Sequence, residues 1–323
     1  MRRRDFITLV GGAAALAPLV ARAQQPGRTY RLGILVPIGR QSPQAIATFD
    51  EFRRHGFIEG QNLEIVPGGF DVPQERIPER VPALVQARPD VIIIAGMHGT
   101  RAVQQATQTI PIVAMSEDML ADGLVDSLSR PGRNTTGISL LSPDLDGKRQ
   151  DLLIELAPKA RHIATLFDSN ITLLSHTQKL QAAAKAQGVT LSLFGAATAA
   201  EIVPAIDAAK AEGAQAINFL AAPLYSINSR IVFDRITALR LPAMHQWPDM
   251  AEDGALAGYG PWFNEVFRQR ARLAVKVLRG TKPADIPVEQ PTRFELVINL
   301  KTAWAIGHEV PAGLVLRADK VIE

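Results

Sequence analysis

From Tyr30 onward, short apolar runs alternate with segments whose apolar residues recur every three or four positions. YRLGILVPI (30–38), NLEIVP (62–67), DVIIIAG (90–96) and IPIVAM (110–115) read as strands. Between them QAIATFDEFRRHGF (44–57) spaces Ile46, Phe49, Phe52 and Phe57 as one helical face, and RIPERVPALVQAR (76–88) and TRAVQQATQT (100–109) read as further helices. The alternation resumes after residue 148. A helix at 148–156 precedes strands at 162–168, 189–195, 214–220 and 241–246, separated by helices at 173–188, 199–213 and 227–240. Strands alternating with helices of this length predict βαβ units and parallel sheets. Two such cycles of similar length predict an α/β fold of two doubly wound parallel-sheet lobes.

Residues 130–149 are rich in turn formers and lie between the cycles, which predicts a crossover. GALAGYGPWF (254–263) closes the second cycle and opens a helix at 264–280, expected to return to the first lobe. The proline-rich KPADIPVEQP (282–291) predicts a third crossing, so that a three-strand hinge joins the lobes. The expected division is 29–140 with 258–285 in one lobe, and 144–256 with 289–323 in the other. A chain of this length is enough for two cores, since single cores stop growing near ~250–300 residues.

The first residues change how the charge is read. Arg2, Arg3 and Arg4 precede an apolar run from Thr8 to Val20, and Ala21-Arg22-Ala23 follows. The run is short of the ~20 residues that span a bilayer. A charged start, an apolar middle and an A-x-A end predict a secretory leader over 1–23, of twin-arginine type, removed on export to the periplasm. The chain holds 35 Lys+Arg and 32 Asp+Glu, and four Arg and one Asp fall in residues 1–23. The remainder carries 31 of each sign, so the basic excess belongs to the leader and argues for no nucleic-acid partner. There is no cysteine, which excludes disulfides, thiolate metal sites and a cysteine nucleophile.

In open α/β sheets, ligands sit beyond the carboxyl ends of the strands. Applied to two facing lobes, that rule selects Gln41, Ser42, Met97, His98, Thr100, Glu117 and Asp118 from the first lobe. From the second it selects Asp168, Asn170, Pro223, Tyr225, Gln246 and Trp247, with Tyr259 at the hinge. Polar loops with a few large apolar groups suit a small organic ligand with one polar end. Each residue has a plainer alternative. The aromatic residues serve equally as core packing, Asp118 and Asp168 as caps of the helices that follow, and Glu117 as a solvated charge. His98 has no partner at metal-ligand spacing. Catalytic motifs fail in detail: GHEVP lacks the second histidine of a zinc helix, GISLL lacks the last glycine of a nucleophile elbow, and DLDGKRQ is not a phosphate loop.

GFIEGQNLEI (56–65), RPDVIIIAG (88–96), ATQTIPIV (106–113), DGLVDSLSRPGRNTTG (122–137), GYG (258–260) and PVEQPTRFELVINLKTAWAIG (287–307) follow one another in order. With these segments the chain resembles the ABC-transporter substrate-binding protein family that includes tryptophan- and phenylalanine-binding members. The resemblance implies a type I periplasmic binding fold that closes around a small solute, an aromatic amino acid or a relative of one. It further implies delivery to an ABC permease in the inner membrane, with no cofactor and no catalysis. Asp118 matches the family's acidic residue after the fourth strand, and Tyr259-Gly260 its hinge motif. Gly96-Met97-His98 stands where the family has Gly-Thr/Ser-Pro, and Met119 where it has proline, so the cleft edge is bulkier here. A sensor lobe signalling to a membrane receptor, or an enzyme on the same scaffold, are the alternatives.

Overall fold

The computed structural model describes residues 27–323; the expected leader at 1–23 lies outside them. The first lobe contains β1 (Tyr30–Leu35), α1 (Pro43–Arg54), β2 (Leu63–Ile65), α2 (Ile77–Gln86), β3 (Val91–Ala95), α3 (Met97–Ala106), β4 (Ile112–Ser116) and β5 (Thr135–Ser139). The second contains α4 (Ser142–Leu156), β6 (His162–Asp168), α5 (Leu174–Ala186), β7 (Thr190–Ala196), α6 (Ala199–Ala211), β8 (Ala216–Phe219), α7 (Pro223–Ile227), α8 (Ser229–Ala238), β9 (Ala243–His245), α9 (Pro248–Glu252) and β10 (Ala257–Gly260). After these come α10 (Phe263–Leu278), β11 (Glu295–Asn299), α11 (Leu300–Ile306), α12 (Ala312–Val315) and β12 (Lys320–Ile322).

The first sheet runs β2-β1-β3-β4-β5, parallel throughout. The second runs β12-β11-β10-β9-β8-β6-β7. Val91 to Ile94 and Ile112 to Ala114 are fully buried, as expected of parallel strands covered by helices on both faces.

Two expectations are corrected. The turn-rich stretch 130–149 was expected to be crossover alone, but it contains β5, which pairs with β4 from Ile112↔Thr135 to Ser116↔Ser139. Residues 258–260 were expected in the first lobe, but β10 is a strand of the second sheet, and the chain leaves that lobe after Gly260. The second sheet is parallel from β7 to β10, as expected; β11, which had not been read as a strand, runs antiparallel to β10, with β12 parallel to β11. The reason is direction of entry. Strands β6 to β10 finish at the edge facing the other lobe, and β11 starts from the hinge at that same edge, with no helix to carry the chain back.

Helix α10 does return to the first lobe, packing on α1, β3, β4 and β5. Its Val266, Phe267, Ala271 and Ala274 are buried there. The third crossing also leans on the first lobe. Ser139 N–H donates to Glu289 O at 3.0 Å, Glu289 N–H to Gly137 O at 2.9 Å, and Thr136 Oγ1 to Ile286 O at 2.8 Å.

Candidate functional site

A cavity of about 120 Å³ lies between the lobes. At about 30 Å³ per water this is room for about four waters, a little less than the ~150 Å³ that holds a benzene ring. The first lobe contributes the residues at the ends of β1, β3 and β4, among them Ile38, Ala95, Met115 and Glu117, with Gln44 and Gln74 beside them. The second lobe contributes Pro223, Gln246, Trp247, Asp249 and Met250, and the start of α10 adds Phe263 and Phe267. The cavity therefore sits at the carboxyl ends of strands from both sheets.

Its apolar wall is an aromatic stack. Trp247 lies on Phe263 with centroids 4.5 Å apart and planes at 20°, and Phe263 meets Phe267 edge-on at 4.9 Å. Asp249 fixes this stack, because its carboxylate accepts the Phe263 N–H at 2.7 Å and so caps α10. Burial pushes the Asp249 carboxyl above the ordinary carboxylate range, and backbone hydrogen bonds pull it partly back. Gly258 lets β10 approach β9 closely: a Cβ there would strike the Trp247 carbonyl. Gly258→Ala is expected to cost about 1–3 kcal/mol through this overpacking, read as a lowered urea midpoint with unchanged slope.

The polar wall is set by Gln74 and Glu117. Gln74 Oε1 is buried without a hydrogen-bond partner among the described residues. Its amide rests against Gly96, whose φ of 85° and missing side chain make the contact possible. Gln246 lines the cavity but spends its side chain on α7: Ala222 N–H donates to Gln246 Oε1 at 2.6 Å and Gln246 Nε2 to Ala222 O at 3.1 Å.

Beneath the second lobe's floor lies a buried ion pair. Arg149 Nη2 donates to Asp146 Oδ1 at 2.7 Å, and Arg149 Nη1 reaches Tyr259 O at 3.1 Å and Gln246 O at 3.5 Å. Asp146 Oδ1 also accepts Ala221 N–H at 3.2 Å, and Oδ2 meets His176 Nε2 at 3.0 Å. The ion pair thus ties together the ends of β8, through Asp146, and of β9 and β10, through Arg149.

Of the residues selected from sequence, Glu117, Pro223, Gln246 and Trp247 line the cavity. The other ten do not, and most have local duties. Ser42 caps α1, accepting Ala45 N–H at 3.2 Å. Thr100 is buried with its hydroxyl on Gly96 O at 2.7 Å. Asp118 accepts Leu120 and Ala121 N–H at 3.1 and 3.0 Å. Asp168 accepts Asn170 N–H at 2.8 Å, and Asn170 Nδ2 donates to Ala197 O at 2.9 Å. Gln41 and His98 are exposed and Met97 is half-buried at the start of α3. Burial pushes the Asp168 carboxyl up, opposed by its bonds to Asn170 and by the charge of His98 from the other lobe. Tyr225 is buried edge-on to Phe219 at 5.3 Å, with its hydroxyl unpartnered among the described residues. Tyr259 is half-buried and packs against the core on the far side of the second sheet.

Sequence reasoning missed Gln44, Gln74, Asp249, Met250, Phe263 and Phe267. Phe263 and Phe267 are four apart and follow the hinge directly, so their shared helical face was the available signal.

The family described as "ABC transporter substrate binding protein" matches residues 71–322. A "Tyrosine-binding protein" from Clostridioides difficile strain R20291 is 27% identical over 260 residues, covering 78% of this chain and 72% of that protein. Among solved structures, a conserved domain protein from Vibrio cholerae superposes with a TM-score of 0.79 at 24% identity, covering 91% of this chain and 99% of the other. The ABC domain from Streptococcus pneumonia in complex with L-Trp superposes with a TM-score of 0.78 at 22% identity, covering 91% and 100%.

Proposed function

Because the chain belongs to the ABC transporter substrate-binding protein family, we propose that it captures an amino acid with an aromatic or similar apolar side chain and hands it to a membrane permease. The observation that carries the ligand class is the pairing of the Trp247–Phe263 stack with Gln74 and Glu117 in one cavity. A ring slides against the stack. The ligand's ammonium donates to the Glu117 carboxylate and to the Gln74 carbonyl, which is otherwise unsatisfied. The tyrosine-binding relative and the L-Trp complex support the same class. Because the ligand touches both lobes, it favours the closed arrangement, and closure is the signal a permease reads.

The secretory leader expected over residues 1–23 supports a periplasmic site for this activity. No helix among the described residues is long and apolar enough to cross a membrane.

Isothermal calorimetry and thermal shift with L-tyrosine, L-tryptophan and L-phenylalanine test the proposal. A ligand at a hundred times its Kd should stabilise the fold by about 2.7 kcal/mol. No shift with these three or with a broad panel of small solutes would overturn it. Glu117→Gln should weaken binding about tenfold, since the counter-charge to the ammonium is lost while the shape and an acceptor oxygen are kept.

A further inference from the structure

Arg270 lies on α10, one turn beyond Phe267, and is 2% exposed. Its guanidinium sits 4.4 Å from the centroid of the Phe267 ring. Nη1 reaches Ile94 O at 3.4 Å, and Nε is buried with no hydrogen-bond partner among the described residues. Burial lowers its titration to about 9, and among the described residues no carboxylate stands close enough to oppose it. Phe267, and Ala95 next to Ile94, both line the cavity. A side chain that is cationic at neutral pH is therefore buried one ring's thickness behind the cavity wall, held by a weak carbonyl contact and an aromatic face.

Such a placement is costly for the empty protein. A buried charge loses its hydration, and one carbonyl and one ring do not replace it. Many buried arginines are paired within the fold, as Arg149 is with Asp146. Arg270 has no such partner among the described residues, and its field extends through low-dielectric packing into the space where the ligand sits.

We propose that Arg270 sets the charge specificity of the cleft: the ligand must carry a carboxylate, seated against the Phe267–Ala95 wall, which supplies the missing counter-charge. This rests on the amino-acid reading above and refines it. The carboxylate, more than the ammonium, becomes the group that decides entry. The residue acts through the ring rather than by contact, so it is a specificity-determining residue of the wall.

Calorimetry on the mature chain with three probes separates the possibilities: L-phenylalanine, hydrocinnamate (no ammonium) and phenethylamine (no carboxylate). The expected order is phenylalanine, then hydrocinnamate, with phenethylamine weaker than phenylalanine by about tenfold to a hundredfold, the scale of a partly screened charge pair across a ring. Arg270→Met should lose that factor for the two carboxylates and leave phenethylamine unchanged, while its ligand-free melting temperature stays level or rises. Arg270→Lys should retain the preference. A wild-type chain that binds phenethylamine as well as phenylalanine overturns the inference, as does an Arg270→Met chain that still prefers the acids. If Arg270→Met does not fold, the wild-type series and Arg270→Lys still decide. Failure of all three probes to bind overturns the amino-acid reading, and this inference with it.

Discussion

Acidification from pH 7 to pH 4.5 is expected to remove about 3 kcal/mol of stability through His245 alone. This residue is fully buried on β9, its ring stacked on Phe219 at 4.7 Å and edge-on to Phe233 at 5.1 Å. Neither ring nitrogen has a hydrogen-bond partner among the described residues. Burial alone pushes its pKa from 6.5 down to about 3. The unfolded chain takes up a proton near pH 6.5, and the native chain refuses it until the pH nears 3. The contribution is therefore complete above pH 6.5 and is lost as pH falls through that window. Two pH units inside it correspond to about 3 kcal/mol. The carboxyls of Asp122, Asp168, Asp249 and Asp253, all raised by burial, act in the opposite direction. They favour the protonated native state and offset part of the loss. The clean readout is therefore the difference between wild type and His245→Phe, which keeps a flat ring in the stack. Urea unfolding of both at pH 7 and pH 4.5 should show a markedly shallower pH dependence in the variant. Equal dependence in both would refute the assignment.

Arg149→Met is expected to destabilise the fold by about 3–5 kcal/mol, the range for breaking one partner of a buried pair. Arg149 is 1% and Asp146 4% exposed. Removing the guanidinium leaves the Asp146 carboxylate with Ala221 N–H and His176 but no full counter-charge. It also frees the carbonyls of Gln246 and Tyr259. Replacing both partners, as Asp146→Leu with Arg149→Met, should recover part of the loss, because the uncompensated charge is then gone. A double variant as unstable as the sum of the singles would show that the two side chains act independently.

Two lobes were legible because buried parallel strands such as Val91–Ala95 leave long apolar runs, and the helices between them keep one apolar face. Thr135–Ser139 was not legible as β5. Its TTGIS sequence has the composition of a turn, and it is a strand because β4 and the Glu289 segment flank it. The site was legible as a place but only partly as a set of side chains. Glu117 and Asp118 are adjacent carboxylates, and sequence offered capping for one and a solvated charge for the other. The structure separates them because the turn after β4 points two N–H groups at Asp118, while Glu117 remains on the cavity wall. Tyr259 was chosen for its place at the hinge. Strand alternation sends its ring to the opposite face, and the period-two rule applied to AGYG was the missing step.

Glu289 is fastened to the first lobe twice over. Its backbone pairs beside β5, and its carboxylate accepts Gln269 Nε2 at 2.8 Å and Lys276 Nζ at 3.0 Å. On the other connection, the Trp262 indole donates to Glu295 on β11 at 2.7 Å and Phe263 is anchored to Asp249, so that strap belongs to the second lobe. Swinging of one half against the other therefore turns this connection in the few peptide units just past Glu289, and liganded and empty crystals should differ in torsion angles over 290–294 as well as at the other two crossings, while each half superposes unchanged.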